Sequence, residues 1–211
     1  MPNPRKYNAV VLGAGGVGKS ALATRFHRKV FVEQYNPTIE EEYRCEVTVD
    51  GERCILEILD TPGTEQFTAL NERYLRGAQA FILVFSLIEE SSLKDVDNIR
   101  QQIYQLKGTD KVRLIAFPSQ LGHEHDESDI AEQDIPIVVV GTKLDLSNER
   151  AVSRDTIKDL AVQWNLPFYE TSAKKDWHVT DVFEDLVRQL RNRYPDAPRS
   201  RRKKKDTCCV M

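Results

Sequence analysis

An α/β fold, with a mostly parallel six-stranded sheet and helices on both faces, is what this sequence predicts on three observations. Strand-like and helix-like segments alternate along most of the chain, as in βαβ units. The apolar runs, such as Phe81–Phe85 and Ile135–Val140, have the length of buried strands. A glycine-rich turn, GAGGVGKS from Gly13 to Ser20, joins the first strand to the first helix.

In chain order, Lys6–Leu12 reads as a strand and Lys19–Arg28 as a helix. Thr48-Val49-Asp50-Gly51-Glu52 marks a hairpin turn between two strands, roughly Tyr43–Val49 and Arg53–Leu59. Further strands are expected at Ala80–Ser86, Pro136–Gly141 and Pro167–Glu170. Helices are expected near Thr68–Arg76, Ser91–Leu106, Ser153–Trp164 and Thr180–Arg193. In such sheets ligands sit beyond the carboxyl ends of the strands, where every motif discussed below falls. About 29 residues separate Leu106 from Pro136, far more than the roughly 2 to 6 of an ordinary connection. The segment 109–134 is therefore read as an insertion, a solvated loop or a translated intron. Its His123 and His125 lack the third constrained ligand that a metal site needs.

The 211 residues, 40% hydrophobic and 30% charged, suit one globular domain over residues 1–194 followed by a flexible tail over 195–211. No apolar run is long enough for a transmembrane helix. The opening MPNPRKYNAV has neither a signal-peptide core nor a Met-Gly start, so a cytosolic protein is expected. Cys45 and Cys54 fall in strands and read as reduced core thiols. Arg199, Arg201, Arg202, Lys203, Lys204 and Lys205 against Asp206 give residues 199–211 a charge of +5, and the net charge of −3 leaves −8 in residues 1–198. An acidic body disfavours nucleic acid as a partner and makes a membrane surface the better match for the tail. The terminal CCVM fits a prenylation motif with Cys208 modified and a farnesyl group favoured by Met211. A prenyl chain alone binds reversibly, so the basic cluster would be the second anchoring signal.

GAGGVGKS matches the phosphate-binding pattern G-x-x-x-x-G-K-[ST] in its required place between strand and helix. Backbone N–H groups from Gly15 to Lys19 can converge on phosphate oxygens where glycines remove side chains and accept positive φ. The helix that follows presents its positive dipole end. Lys19 is expected to neutralise the outer phosphates and Ser20 to ligate magnesium.

Four further segments take the reading beyond phosphate. With GAGGVGKS, the stretches YNPTIEEEYR (Tyr35–Arg44), DTPGTEQF (Asp60–Phe67), TKLD (Thr142–Asp145) and ETSAK (Glu170–Lys174) resemble in order the five nucleotide-contacting motifs of the Ras-like small GTPases. The resemblance implies the small G-protein form of the P-loop NTPase fold and a GTP/GDP switch that hydrolyses GTP. Thr64 and the following EQFTAL are similar to the Rap branch, which includes the fungal bud-site GTPases. The implied nucleotide site comprises Gly13, Gly15, Gly16, Val17, Gly18, Lys19, Ser20, Ala21, Phe31, Tyr35, Thr38, Asp60, Gly63, Thr142, Lys143, Asp145, Ser172, Ala173 and Lys174. Asp145 would accept two hydrogen bonds from guanine, which adenine cannot offer. The stems of Lys143 and Lys174 would lie against the ring, and the Ala173 N–H would meet the guanine oxygen. Phe31 would pack edge-on near the base. Mg2+ would be held by Ser20, Thr38 and, largely through water, Asp60. Lys19, Thr38, Gly63 and Thr64 would serve catalysis, and Thr38 and Gly63 would both sense the γ phosphate.

The same resemblance implies partners: an exchange factor, a GTPase-activating protein, and effectors with Ras-binding-type domains that read Tyr35, Asn36, Pro37, Thr38, Ile39, Glu40, Glu41, Glu42 and Tyr43. It implies a monomer, held at the cytoplasmic face of a membrane, the plasma membrane being favoured, and acting in signalling or cell polarity. Three positions depart from the family's usual pattern. Thr142 replaces asparagine, as in Rho-type members, and should alter how the loop is braced. Pro62 replaces alanine and should stiffen the second switch. Thr64 replaces glutamine, so hydrolysis without an activator should be slow, and a GTP-binding scaffold with negligible hydrolysis is the alternative reading.

Overall fold

A computed structural model describes residues 4–34, 38–63, 70–115 and 135–195. The strands are β1 (Arg5–Leu12), β2 (Glu41–Val49), β3 (Glu52–Asp60), β4 (Ala80–Ser86), β5 (Ile137–Thr142) and β6 (Phe168–Glu170). They form one six-stranded sheet in the order β2-β3-β1-β4-β5-β6. Only the β2–β3 pair is antiparallel. The helices are α1 (Lys19–Arg28), α2 (Leu70–Gly77), α3 (Ser91–Ile115), α4 (Arg154–Trp164) and α5 (Val179–Arg193). The expected class is therefore the observed one.

Alternation along each strand divides the core into two layers. Ala9 and Val11 of β1 face a cluster with Leu22, Ala23 and Phe26 of α1 and Val182, Phe183 and Leu186 of α5. Val10 and Leu12 face the other side, with Leu75 of α2, Val96, Ile99 and Ile103 of α3, and Ile157 of α4. Period-two alternation on a sheet covered on both faces produces this division. The Phe26 and Phe183 rings stack at 3.8 Å, fastening α1 to α5. Cys45 and Cys54 are free and buried, as expected. Among the described residues, no helix is long and apolar enough to cross a membrane.

The β2–β3 hairpin closes through Asp50 and Gly51, both at positive φ (49° and 79°), with Val49 paired to Glu52. Positive φ at both central residues is what a two-residue hairpin loop requires. Two expectations need correction. Helix α3 continues to Ile115 instead of ending near Leu106, so residues 109–115 are helical and the insertion begins as an extension of α3. Gly108 follows the expected end and is a stop signal, but the helix runs through it, and no proline or further glycine lies between Thr109 and Ile115. A 3-10 helix, Leu144–Glu149, was not expected; it starts from Lys143, whose φ of 63° turns the chain sharply after β5. The two histidines of the insertion and the basic tail lie outside the described residues.

Candidate nucleotide site

The order of the sheet changes direction at β1, which lies between β3 and β4. A crevice forms at such a switch point, beyond the carboxyl ends of the strands. The glycine loop leaves β1 there. Gly13 (φ 151°), Gly16 (φ 70°) and Gly18 (φ 104°) adopt conformations that side chains disfavour, whereas Gly15 takes no positive φ. A Cβ on Gly13 would also lie 2.1 Å from the Val84 carbonyl oxygen. Gly18 caps α1 without a side-chain hydrogen bond, so the first N–H groups of that helix remain available to an anion. Gly63 packs its backbone on the same loop, where an added Cβ would meet the Gly15 N and Cα at 2.5 Å.

Lys19 is buried, and its ammonium donates to the carbonyl oxygens of Gly13 at 3.0 Å and Ala14 at 2.7 Å. Burial pushes its pKa down to about 8, with the nearby Asp60 carboxylate opposing the shift. Asp60 is fully buried at the end of β3, and neither of its oxygens has a hydrogen-bond partner among the described residues. Burial pushes its carboxyl up to about 6; the Ser20 hydroxyl and Lys19 lie near enough to offset part of the shift, but neither makes a well-formed hydrogen bond to it. Beside it, Ser20 Oγ and Thr38 Oγ1 are 2.6 Å apart. Two hydroxyls and a carboxylate with unused acceptor capacity are hard oxygen donors, the chemistry suited to a small divalent cation that keeps most of its waters. The residues present therefore fit magnesium next to phosphate. Among the described residues no group of three or more His, Cys, Asp or Glu could form an all-protein cage.

The second half of the cluster follows β5 and β6. Asp145 accepts from the Ser172 hydroxyl at 2.6 Å, and that hydroxyl accepts from the Lys175 N–H at 3.0 Å. The two loops are cross-bonded by Leu144 N–H to the Thr171 carbonyl at 2.9 Å and Thr171 N–H to the Gly141 carbonyl at 2.7 Å. Thr142 is buried, and its hydroxyl lies within donating distance of two carbonyls, Val17 in the glycine loop and Phe85 in β4. The Thr142 side chain thus links β5 to the glycine loop. Phe31 is half-buried and Lys143 sits at the turn after β5.

The family comparison adds a decisive finding. The Ras family model matches residues 8–126 and 120–192, most of the chain, in two stretches that meet inside the insertion. The chain belongs to the Ras family. Ras-family proteins bind GTP or GDP with Mg2+ and are generally GTPases.

Most of the expected site residues converge at one end of the sheet, but Tyr35, Asn36, Pro37, Thr64 and Cys208 lie outside the described residues. Of the expected effector segment, Ile39 is 89% exposed. Glu40 accepts a hydrogen bond from the Tyr74 hydroxyl, and Glu41 pairs with Arg28 at 2.9 Å. The acidic run is therefore partly engaged with α1 and α2. Arg25 and Arg150 were not foreseen. Arg150 makes a two-pronged pair with Glu170 at 2.8 and 2.5 Å, which braces the end of β6. Arg25 donates to Ala173 and Lys174, 148 and 149 residues away, a separation that carries no local signal. Two clefts elsewhere, of about 550 Å³ beside Trp164 and about 390 Å³ beside Cys45, contain none of the phosphate-loop or base-loop residues.

Proposed function

We propose that this Ras-family chain is a Rap-like guanine-nucleotide switch, anchored to the cytoplasmic face of a membrane and slow to hydrolyse GTP without an activating protein. The reading rests above all on Asp60: two buried, unpartnered carboxylate oxygens beside the Ser20–Thr38 hydroxyl pair and the buried Lys19 form a receptor for a cation and polyphosphate. Magnesium, when bound, would neutralise phosphate charge and help align the outer phosphates. Lys19 would add a second positive charge, and the uncapped start of α1 would add N–H donors. Thr38 and Gly63 belong to segments that would depend on the same γ phosphate, so its loss would release both. Asp145, held by Ser172, would select guanine.

Thr64 supports the slow hydrolysis. In Ras a glutamine orients the attacking water, and a threonine hydroxyl is too short to do the same. The resemblance to the Rap branch suggests that an activator brings an asparagine. Cys208 and the basic cluster would place the switch at an anionic membrane.

The deciving measurement pairs nucleotide content with single-turnover hydrolysis. The purified chain is expected to retain GDP or GTP and release it on magnesium chelation; retained adenine nucleotide would overturn the assignment. Thr64→Gln should hydrolyse GTP about tenfold faster than the parent, equivalent to about 1.4 kcal/mol of barrier. No acceleration, even when combined with Pro62→Ala, would mean that another group controls the water. A parent chain inert even with a matching activator would favour the scaffold.

A further inference from the structure

Arg25 lies on α1, the helix that begins at the phosphate loop, yet its guanidinium reaches the opposite side of the site. Nε donates to the Ala173 carbonyl at 2.5 Å and Nη2 to the Lys174 carbonyl at 3.1 Å. Nη1 donates to the Lys29 carbonyl at 2.9 Å. The Lys29 N–H in turn donates to the Arg25 carbonyl at 3.0 Å, closing the end of α1 with Lys29 at φ 58°. From Lys29 the chain runs through Phe31 to Glu33, whose carboxylate meets the Lys174 ammonium at 2.9 Å. One guanidinium therefore ties the root of the Phe31 segment to the loop after β6. The exposed Glu33–Lys174 pair adds little to this, because solvent screens it.

Peptide planarity gives these contacts a directional consequence. The Ser172 carbonyl accepts from the Trp177 N–H at 3.0 Å, which orients the Ser172–Ala173 peptide and sends the Ala173 N–H the opposite way. Arg25 holds the next peptide, Ala173–Lys174, by its carbonyl. Ala173 is pinned between two oriented planes, and the aim of its N–H depends on both. A planar guanidinium matches a set of neighbouring carbonyls in a way that a lysine ammonium does not.

We infer that Arg25 is a positioning residue for base recognition: through the Ala173, Lys174 and Lys29 carbonyls it aims the Ala173 N–H at the guanine oxygen and so lengthens nucleotide residence. This rests on the proposed reading of Ala173 as the group that meets that oxygen. The test uses the full GDP-loaded chain and compares the parent with Arg25→Ala and Arg25→Lys. Dissociation rates are measured for GDP, for inosine diphosphate, which lacks the 2-amino group that Asp145 would read, and for 2-aminopurine riboside diphosphate, which lacks the guanine oxygen and, with it, the N1 proton, a loss that Arg25 variants and parent feel alike. Arg25→Ala is expected to release GDP about tenfold faster. Its preference for GDP over the oxygen-free analogue should shrink by a similar factor, while its preference over inosine diphosphate stays within about twofold. Arg25→Lys should show the same pattern at smaller amplitude, and it carries the test if the alanine variant fails to fold. Equal acceleration for all three nucleotides would reduce Arg25 to a structural brace and overturn the inference, as would unchanged rates. A parent chain that does not distinguish GDP from the oxygen-free analogue would overturn the Ala173 reading itself, and the inference with it.

Discussion

The proposed phosphate end and base end of the candidate site are built on different principles. At the phosphate end the polar groups are buried and under-partnered: Asp60 has two unsatisfied oxygens, Lys19 leans on the carbonyls of its own loop, and α1 starts without a side-chain cap. At the base end the groups are already held by protein: Asp145 by Ser172, Ser172 by Lys175, and the two loops by each other. Buried polar groups without partners carry a cost, and an occupant that supplies the missing interactions binds all the more strongly for it. The phosphate end is therefore suited to affinity that depends on the occupant, and the base end to geometry that is ready beforehand. Thr142 spans the two, joining the strand beneath the base loop to Val17 of the phosphate loop.

Substitutions can break this contrast, beginning with the largest expected effect. Asp60→Asn removes a buried carboxylate charge, so it should stabilise the nucleotide-free chain by about 1–3 kcal/mol while weakening magnesium-dependent nucleotide retention a hundredfold or more. Thermal melting without nucleotide, set beside GDP release with and without magnesium, checks both signs. If the nucleotide-free form is instead destabilised, Asp60 has a stabilising protein partner and the phosphate end is not under-partnered.

Asp145→Asn acts on the prebuilt end. It exchanges an acceptor for an amide, and should shift preference from GTP toward XTP by tenfold or more with little change in the melting of the nucleotide-free chain. Competition binding with the two triphosphates decides it; an unchanged ratio removes Asp145 from base selection. Thr142→Val deletes the bridging hydroxyl at nearly constant shape and removes the single O–H donor within reach of the Val17 and Phe85 carbonyls. A loss of about 1–2 kcal/mol in stability and a few-fold faster GDP release are expected, measured by denaturant unfolding and exchange kinetics. Unaltered release would mean that the two ends are not coupled through this residue. The smallest effect is expected from Arg150→Ala, which removes the mostly buried pair with Glu170 and should cost about 1–3 kcal/mol in stability without changing the GTP-to-XTP preference.

The contrast also explains what could be read in advance. The proposed phosphate end is local in sequence: eight residues from Gly13 to Ser20 carry the loop, the Lys19 ammonium and the Ser20 hydroxyl. The base end was read through the family resemblance of TKLD and ETSAK, whose mutual bonds no single stretch discloses. Thr142 was foreseen as a departure, but its acceptors, Phe85 and Val17, lie 57 and 125 residues away. The extension of α3 was not legible because Lys107-Gly108 reads as a helix end, whereas in the fold the helix continues through Gly108 to Ile115.

By itself the sequence determined the features that arise from nearest neighbours: the alternation that makes βα units, the Asp50-Gly51 turn, and the glycines at 13, 16 and 18 whose φ values few other residues accept. Backbone sterics and side-chain periodicity act over a few residues, so a short stretch is enough to express them. Tertiary structure alone decided how deeply Asp60 and Lys19 are buried, and with that their opposite pKa shifts. It also decided that Arg25 meets Ala173 and Lys174. Burial and long-range partners depend on the order in which six strands are laid side by side, and that order brings the end of β1, the start of α1 and the loop after β6 to one edge. Desolvation and directional hydrogen bonds exist only once that assembly has excluded water, which is why neither could be read from the residues alone.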